Sequence, residues 1–316
     1  MTAKIKLGVS ACLLGCPVRY DGGHKHDHYI TDTLSNYFAF TAVCPEVECG
    51  LPVPRETMRL VGDPDSPRLV TTKTGIDHTE KMQAFCTGKL LELEKEDLCG
   101  FIFKKNSPSS GLYRVKIHRQ GSGAPRSGQG LFAGAFTKRF PLLPVEEEGR
   151  LNDPILRENF IEKVFCCFRW KTFAAGEANY KNLITFHARH KLQIMAHSQS
   201  HLSRMGKLVA AGKTIPVQEL LSQYEYMLME ALSLKATVKK NVNVLQHIAG
   251  YFKKTLPRDD REELQDLISR YAGHTVPLVV PLTLVNHYLR KQGVEYLQDQ
   301  YYLEPHPAEL MLRNHV

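Results

Sequence analysis

A chain of 316 residues with 43% hydrophobic and 23% charged side chains can bury a full core without staples, in one large domain or two ordinary ones. No apolar run approaches a membrane span and Met1-Thr2-Ala3-Lys4 lacks an apolar signal core, so a cytoplasmic location is expected, where eight cysteines stay reduced. The net charge of +8, shared by both halves, suits a polyanionic partner and equally a merely soluble basic surface.

The first half alternates β-like runs, Gly/Pro loops and short helical patterns, the texture of an α/β layer. Ile5 to Val9 reads as a strand that leads into Ser10-Ala11-Cys12-Leu13-Leu14-Gly15-Cys16. Phe40 to Val43 leads into Cys44-Pro45-Glu46-Val47-Glu48-Cys49-Gly50. Ile76 to Lys95 holds a helix capped by Asp77 or Thr79, with an apolar stripe through Met82, Phe85, Leu90 and Leu93. Phe101 to Phe103 is a third strand, followed by Ser107-Pro108-Ser109-Ser110-Gly111. After Val115-Lys116-Ile117, Gly121 to Gly128 reads as a flexible surface loop, and Gly130-Leu131-Phe132-Ala133 as ordered backbone lining a site.

Pro141 to Val145 and then Glu146-Glu147-Glu148-Gly149 read as a seam, because three adjacent acids are not expected to be buried together. From Pro154 the texture changes to amphipathic helices, at about 154–173, 178–198, 200–211, 217–232, 235–254, 259–272 and 280–291. Adjacent Cys166 and Cys167 read as small buried groups. The expected organisation is an α/β domain with a Rossmann-like layered sheet at 1–142, a linker at 143–160 and an all-α domain at 161–316.

Loops that follow parallel strands converge on one sheet edge, where ligands bind. Cys12 and Cys16 are four apart and Cys44 and Cys49 five apart, unlike the C-x-x-C of zinc ribbons. Thiolates delivered singly by separate loops suit an iron–sulfur centre with one open metal position; buried, inert cysteines are the other reading. Glu46 can reach anything bound beside Cys44 as a proton donor or base, or else pairs with Arg19 or Arg55 to hold the loops. Glu48 reads as a solvated neighbour. Ser107 and Ser109 either donate to a substrate carbonyl or cap their turn. Arg19-Tyr20-Asp21-Gly22-Gly23 offers a cation, a ring and a carboxylate, which suits a nucleobase and equally an ordinary turn. His24, His26 and His28 could bind metal, but with no companion spacing solvent exposure explains them better.

Together these loops resemble the thiouracil desulfidase (TudS-like) family. The matching pieces are Ser10 to Gly15, Arg19 to Gly22, Cys44-Pro45-Glu46, Gly50 to Pro52, Pro54-Arg55 and Ser107 to Gly111. The second half resembles the YbgA-type helical domain, through Leu143 to Asp153, Arg157-Glu158, Phe186-His187, His190-Lys191, Asn243 to Leu245, Gly250 to Phe252 and Pro281 to Thr283. Such fused proteins are similar to a bacterial enzyme that removes sulfur from 4-thiouridine in tRNA. The resemblance implies a 4Fe-4S cluster with three protein ligands and an open iron that takes the substrate sulfur. Cys12 and Cys44 match two ligands, Glu46 the catalytic carboxyl, and Ser107 the serine that contacts the base. Arg19, Tyr20, Asp21, Ser109 and Gly130 complete the expected base-binding set.

The third ligand position is Ser110, where the family has cysteine, and a neutral hydroxyl is a poor iron ligand beside a thiolate. Three readings follow: a substitution in an otherwise competent enzyme, a natural loss that leaves a thionucleoside or tRNA binder, or replacement by Cys16 or Cys49. For tRNA containing 4-thiouridine, Lys181, Arg189, Lys191, Arg204, Lys207, Lys239, Lys240, Lys253 and Lys254 are the expected phosphate contacts. His187, His190, Tyr251 and Phe252 could stack beside them, although solvated lysine faces and core aromatics describe the same pattern. The target base would have to be everted. The alternatives are a non-catalytic RNA-binding or repair-associated module with structural cysteines, and a desulfidase of free thiouracil.

Overall fold

Three apolar runs of the first half become adjacent parallel strands in the computed structural model, which describes residues 4–118, 126–176 and 178–315. Strands β1 (Ile5–Ser10), β2 (Phe38–Val43), β3 (Met58–Asp63), β4 (Ser66–Thr71), β5 (Phe101–Phe103), β6 (Val115–His118), β7 (Arg126–Gly128) and β8 (Val145–Glu147) form two sheets. The first has the order β2-β1-β5-β8 and is parallel throughout. The second has the order β4-β3-β6-β7 and is mixed. Helix α1 (Pro45–Glu48) follows β2, α2 (Thr79–Lys95) follows β4 and α3 (Leu131–Arg139) follows β7.

The apolar stripe of α2 packs with α3 onto the strands. Met82, Cys86, Leu90 and Leu93 meet Phe101, Phe103, Phe132 and Phe136 in one buried cluster. Phe101 stacks on Phe103 with ring centres 4.2 Å apart, and Phe136 meets both edge-on. Each such ring contributes about 1.5–3 kcal/mol by burial, so this cluster fixes the sheet beneath the three loops. The helix begins at Thr79 rather than Ile76, because the Asp77 carboxylate accepts from the Thr79 amide at 2.9 Å.

Glu146, Glu147 and Glu148 overturn the expected seam. All three are buried, and residues 145–147 form the fourth parallel strand. Each acid has its own partners: Glu146 meets Arg150 Nε at 2.7 Å, Glu147 accepts the Leu112 and Tyr113 amides at 2.8 and 3.0 Å, and Glu148 pairs with Lys104. Paired carboxylates can be buried where bare ones cannot. The first compact unit accordingly runs through Asp153. Of the stretch read as a flexible loop, residues 126–128 form β7, and Gly121 and Gly123 lie outside the described residues.

The second unit, Pro154–Val316, is helical throughout its long elements. These are α4 (Pro154–Ala175), α5 (Tyr180–His197), α6 (Gln199–Ala211), α7 (Val217–Ser233), α8 (Val238–Tyr251), α9 (Arg258–Ala272), α10 (Val279–Gln292) and the short α11 (Glu295–Gln298). Side chains of Asn179, Ser198 and Thr237 cap α5, α6 and α8, satisfying amides that have no partner within the helix. Cys166 and Cys167 are buried on α4. None of the eight cysteines, all of them among the described residues, forms a disulfide. Among the described residues, no helix is long and apolar enough to cross a membrane.

Candidate active site

The parallel pairing of β2, β1 and β5 brings the loops after them to one edge of the sheet. Between these loops lies a cavity of about 350 Å³. Cys12, Cys44, Glu46, Ser107, Ser109, Ser110, Arg19 and Tyr20 all line it. Asp21, Gly130, Cys16 and Cys49 do not.

Cys12 sits in a 3-10 turn (Ala11–Leu14) directly after β1, and Cys44 precedes α1. Burial pushes the Cys12 thiol up to about 11, opposed by Lys104 and Arg19 and assisted by Cys44. Burial raises the Cys44 thiol as well. A metal held by two such thiols would displace their protons and make them thiolates. Ser110 is also buried in this wall, with its amide donating to Ser107 Oγ at 3.0 Å. Two thiols and one hydroxyl thus face the cavity from three loops. They meet the donor chemistry of an iron–sulfur cluster at two places and miss it at the third.

Glu46 joins the second loop to the third directly and reaches the first through Arg55. Its Oε1 accepts from Ser109 Oγ at 2.8 Å, and its Oε2 accepts from Arg55 Nε at 3.0 Å and from a second Arg55 nitrogen. Arg55 also donates to the Val18 carbonyl at 3.0 Å and the Pro52 carbonyl at 3.3 Å. Of the two arginines offered by the sequence, Arg55 is the partner. Ser107 caps its turn, its hydroxyl accepting the Ser109 and Ser110 amides at 3.3 and 3.0 Å, and it also lines the cavity. Glu48 is an anchor rather than a bystander, accepting the Cys44 amide at 2.7 Å and meeting Lys89 at 2.9 Å.

Gly130 acts on the site from behind. Loop carbonyls of Pro108 and Ser109 accept the Leu131, Phe132 and Ala133 amides, so the third loop caps α3. A Cβ at Gly130 would lie 2.5 Å from the Ser109 carbonyl, a distance that only glycine permits. Asp21 accepts the Gly23 amide at 3.0 Å and lies 3.5 Å from Arg19 Nε, which orders the turn that presents Arg19 and Tyr20. Arg19 stacks over the Tyr20 ring at 5.3 Å. Cys49 is directed away from the cavity: its thiol lies 3.2 Å from the Glu46 carbonyl and packs toward the α2 core. Neither Cys49 nor Cys16 therefore stands where Ser110 stands.

Sequence reasoning missed Ser10, Lys104 and Glu148. Ser10 Oγ accepts the Lys104 amide at 2.9 Å and joins the first loop to the third. Lys104 lines the cavity and is held by Glu148, whose carboxylate also accepts the Lys105 amide at 2.7 Å. The signal was a lysine pair immediately after a strand and an acid in the misread seam.

In the second unit Lys181, Arg204, Lys207, Lys239, Lys253 and Lys254 are exposed. Arg189 and Lys191 are half-buried, and Arg189 stacks on Tyr301 at 4.7 Å. Lys240 is engaged otherwise, donating to the carbonyls of His197 and Lys235 at 2.6 and 2.7 Å. His187 and His190 are core residues; burial depresses both, His187 to about 4. Phe252 is buried, while exposed Tyr251 stacks on Tyr296 at 4.9 Å.

These features define an α/β domain with a thiol-lined cavity at the carboxyl edge of its parallel sheet, in a chain that continues into a helical unit. Residues 7–148 match the family described as 2-thiouracil desulfurase, and residues 191–307 match DUF1722, a family of unknown function. The uncharacterized protein YbgA of Escherichia coli (strain K12) is 32% identical over 133 residues, which span 42% of this chain and 79% of that protein. The solved structure of a 4Fe-4S-dependent thiouracil desulfidase, TudS, is 30% identical, covers 48% of this chain and 95% of its own, and superposes with a TM-score of 0.39. The chain belongs to the family that joins a 2-thiouracil desulfurase domain to a YbgA-like DUF1722 domain.

Proposed function

We propose that this protein replaces the sulfur of a thiolated pyrimidine by oxygen, that its substrate is 4-thiouridine in tRNA, that it works in the cytoplasm, and that its helical unit docks the tRNA. The observation that carries the reading is the convergence of Cys12, Cys44, Glu46, Ser107 and Ser109 on one cavity. Cys12 and Cys44 would hold a 4Fe-4S cluster, with residue 110 at the third place. When bound, such a cluster supplies a Lewis acid for the thiocarbonyl sulfur.

The chain's own groups do the rest. Tyr20 and Arg19 offer a ring and a planar cation for the pyrimidine face. Ser107 Oγ, at 3.0 Å from Ser109 Oγ, offers a hydrogen bond to the base. Glu46, oriented by Arg55 and Ser109, takes a proton from the attacking water. A carbon–oxygen bond forms, the carbon–sulfur bond breaks, and sulfide leaves with the water protons, so no oxidant or reductant is consumed. Exposed Lys181, Lys239, Lys253 and Lys254 supply phosphate contacts.

The test is anaerobic reconstitution of the native chain and of Ser110→Cys with iron and sulfide, followed by incubation with 2-thiouracil and with thiolated tRNA. We expect Ser110→Cys to acquire thiolate-to-iron absorption and to release sulfide from the tRNA, and the native chain to do so less. A Ser110→Cys protein that carries a cluster and releases no sulfide would refute the assignment. Release from free 2-thiouracil alone would remove the tRNA and the docking role.

A further inference from the structure

The loop between the Arg19 turn and β2 carries polar chemistry that the desulfidase reading leaves unused. His26, His28 and Asp32 each bring one ligand-type atom to within 4.8 Å of the other two. The arrangement follows from local backbone. Tyr29–Thr33 is a wide helical turn, which sets His28 and Asp32 on one face with Nδ1 and Oδ2 3.0 Å apart. The His26 ring meets the His28 ring edge-on at 4.5 Å. The sequence showed three alternating histidines and no companion; the fold supplies the companion, Asp32.

We propose that His26, His28 and Asp32 form a binding site for a borderline divalent transition ion of the zinc or nickel class. Two imidazoles and one carboxylate are the donor set such ions take, and three protein ligands leave room for water. Thr31 provides the outer support these sites use. Its hydroxyl donates to Asp32 Oδ1 at 2.7 Å and lies 2.9 Å from His26 Nε2, so it orients two of the three ligands. His28 and Asp32 are 79% and 64% exposed at their side chains, free to turn onto an ion about 2 Å away. The site is tied to the cavity through backbone: the Lys25 amide donates to the Cys12 carbonyl, and the Asp27 amide to the Leu13 carbonyl, both at 2.9 Å. An ion held here staples the segment that supports the Cys12 turn.

Calorimetric titration of the full chain with Ni²⁺, under a non-thiol reductant, tests the site while limiting capture by the cysteines. We expect one ion per chain, at least about tenfold weaker binding in Asp32→Ala and in His28→Ala, and none at the same concentrations in the triple alanine variant. The positions are exposed, so the metal-free melting temperature should be unchanged in every variant, which separates lost ligation from lost folding. His24→Ala should bind as the native chain does. Equal affinity in Asp32→Ala, or a loss in His24→Ala matching that in His28→Ala, would mean loose chelation by a histidine-rich loop and would overturn the site. No binding by the native chain would overturn it too.

Discussion

Arg55 holds Glu46 in place, and its removal should damage the first unit far more than an ordinary surface change. The pair is shielded, with 6% of the Arg55 side chain and 15% of the Glu46 side chain exposed. Arg55 also holds the Val18 and Pro52 carbonyls, so Arg55→Met leaves a carboxylate and two backbone acceptors without their donor. Breaking a buried ion pair on one side costs about 3–5 kcal/mol, and the residual exposure of Glu46 places this case near 3. In a Glu46→Gln background the orphaned group is a neutral amide, and the same change should cost about 1 kcal/mol. The coupling is therefore about 2 kcal/mol. Urea unfolding can read it, because Trp170 is the only tryptophan and lies on α4 in the second unit. Its fluorescence reports that unit, and far-UV circular dichroism reports both. With a slope of about 2 kcal/mol/M, Arg55→Met should move the first unit's midpoint down by about 1.5 M and leave the Trp170 transition in place. A loss of the same size in both backgrounds would show that Arg55 acts by packing and not by holding Glu46.

Three further outcomes follow from the same geometry. Metal-free Cys12, held at about 11 by burial, should be alkylated at pH 8 about 100-fold more slowly than a peptide cysteine, its rate rising about tenfold per pH unit; equal rates at pH 8 would contradict the burial argument. Gly130→Ala should cost about 1–3 kcal/mol by driving a Cβ into the Ser109 carbonyl, and should weaken thiopyrimidine binding measured by fluorescence or calorimetry; an unchanged melting temperature would show that the loop yields freely. His187 is held at about 4, below its ordinary value, so its neutral form stabilises the fold above about pH 6.5 and that contribution is lost as pH falls toward 4. Between pH 7 and 5 this amounts to about 2 kcal/mol, which His187→Gln should remove from the pH dependence of the Trp170 transition.

What the sequence reveals depends on whether the decisive interaction is periodic or private. The long helices of the second unit were legible within a few residues, because apolar spacing, capping side chains and proline stops all repeat along the chain. The hairpin β3–β4 was not, since Pro64 and Pro67 argue against strand; Pro67 is admitted because β4 is the edge of its sheet. The acidic run at 146–148 misled for a related reason. Charge patterning treats acids as solvated, whereas each of these found an arginine, a lysine or a pair of amides from another loop. Lys240 misled in the opposite direction, a lysine that reads as a phosphate contact and closes the end of α5. At the cavity, strand ends marked Cys12, Cys44 and Ser110, because a parallel sheet converts successive strand–loop junctions into neighbours. Of the groups that hold those loops together, Arg55 was legible as a partner for Glu46, whereas Ser10, Lys104 and Glu148 act in pairs drawn from distant segments, and no local pattern announces them. That asymmetry bears on residue 110. Every contact that positions it, from the Ser107 hydroxyl to the α3 cap and the space at Gly130, is in place for a side chain that presents one donor atom to the cavity. A change from oxygen to sulfur at that atom should therefore alter ligand chemistry with little change in the fold, and Ser110→Cys should melt within about 1 kcal/mol of the native chain.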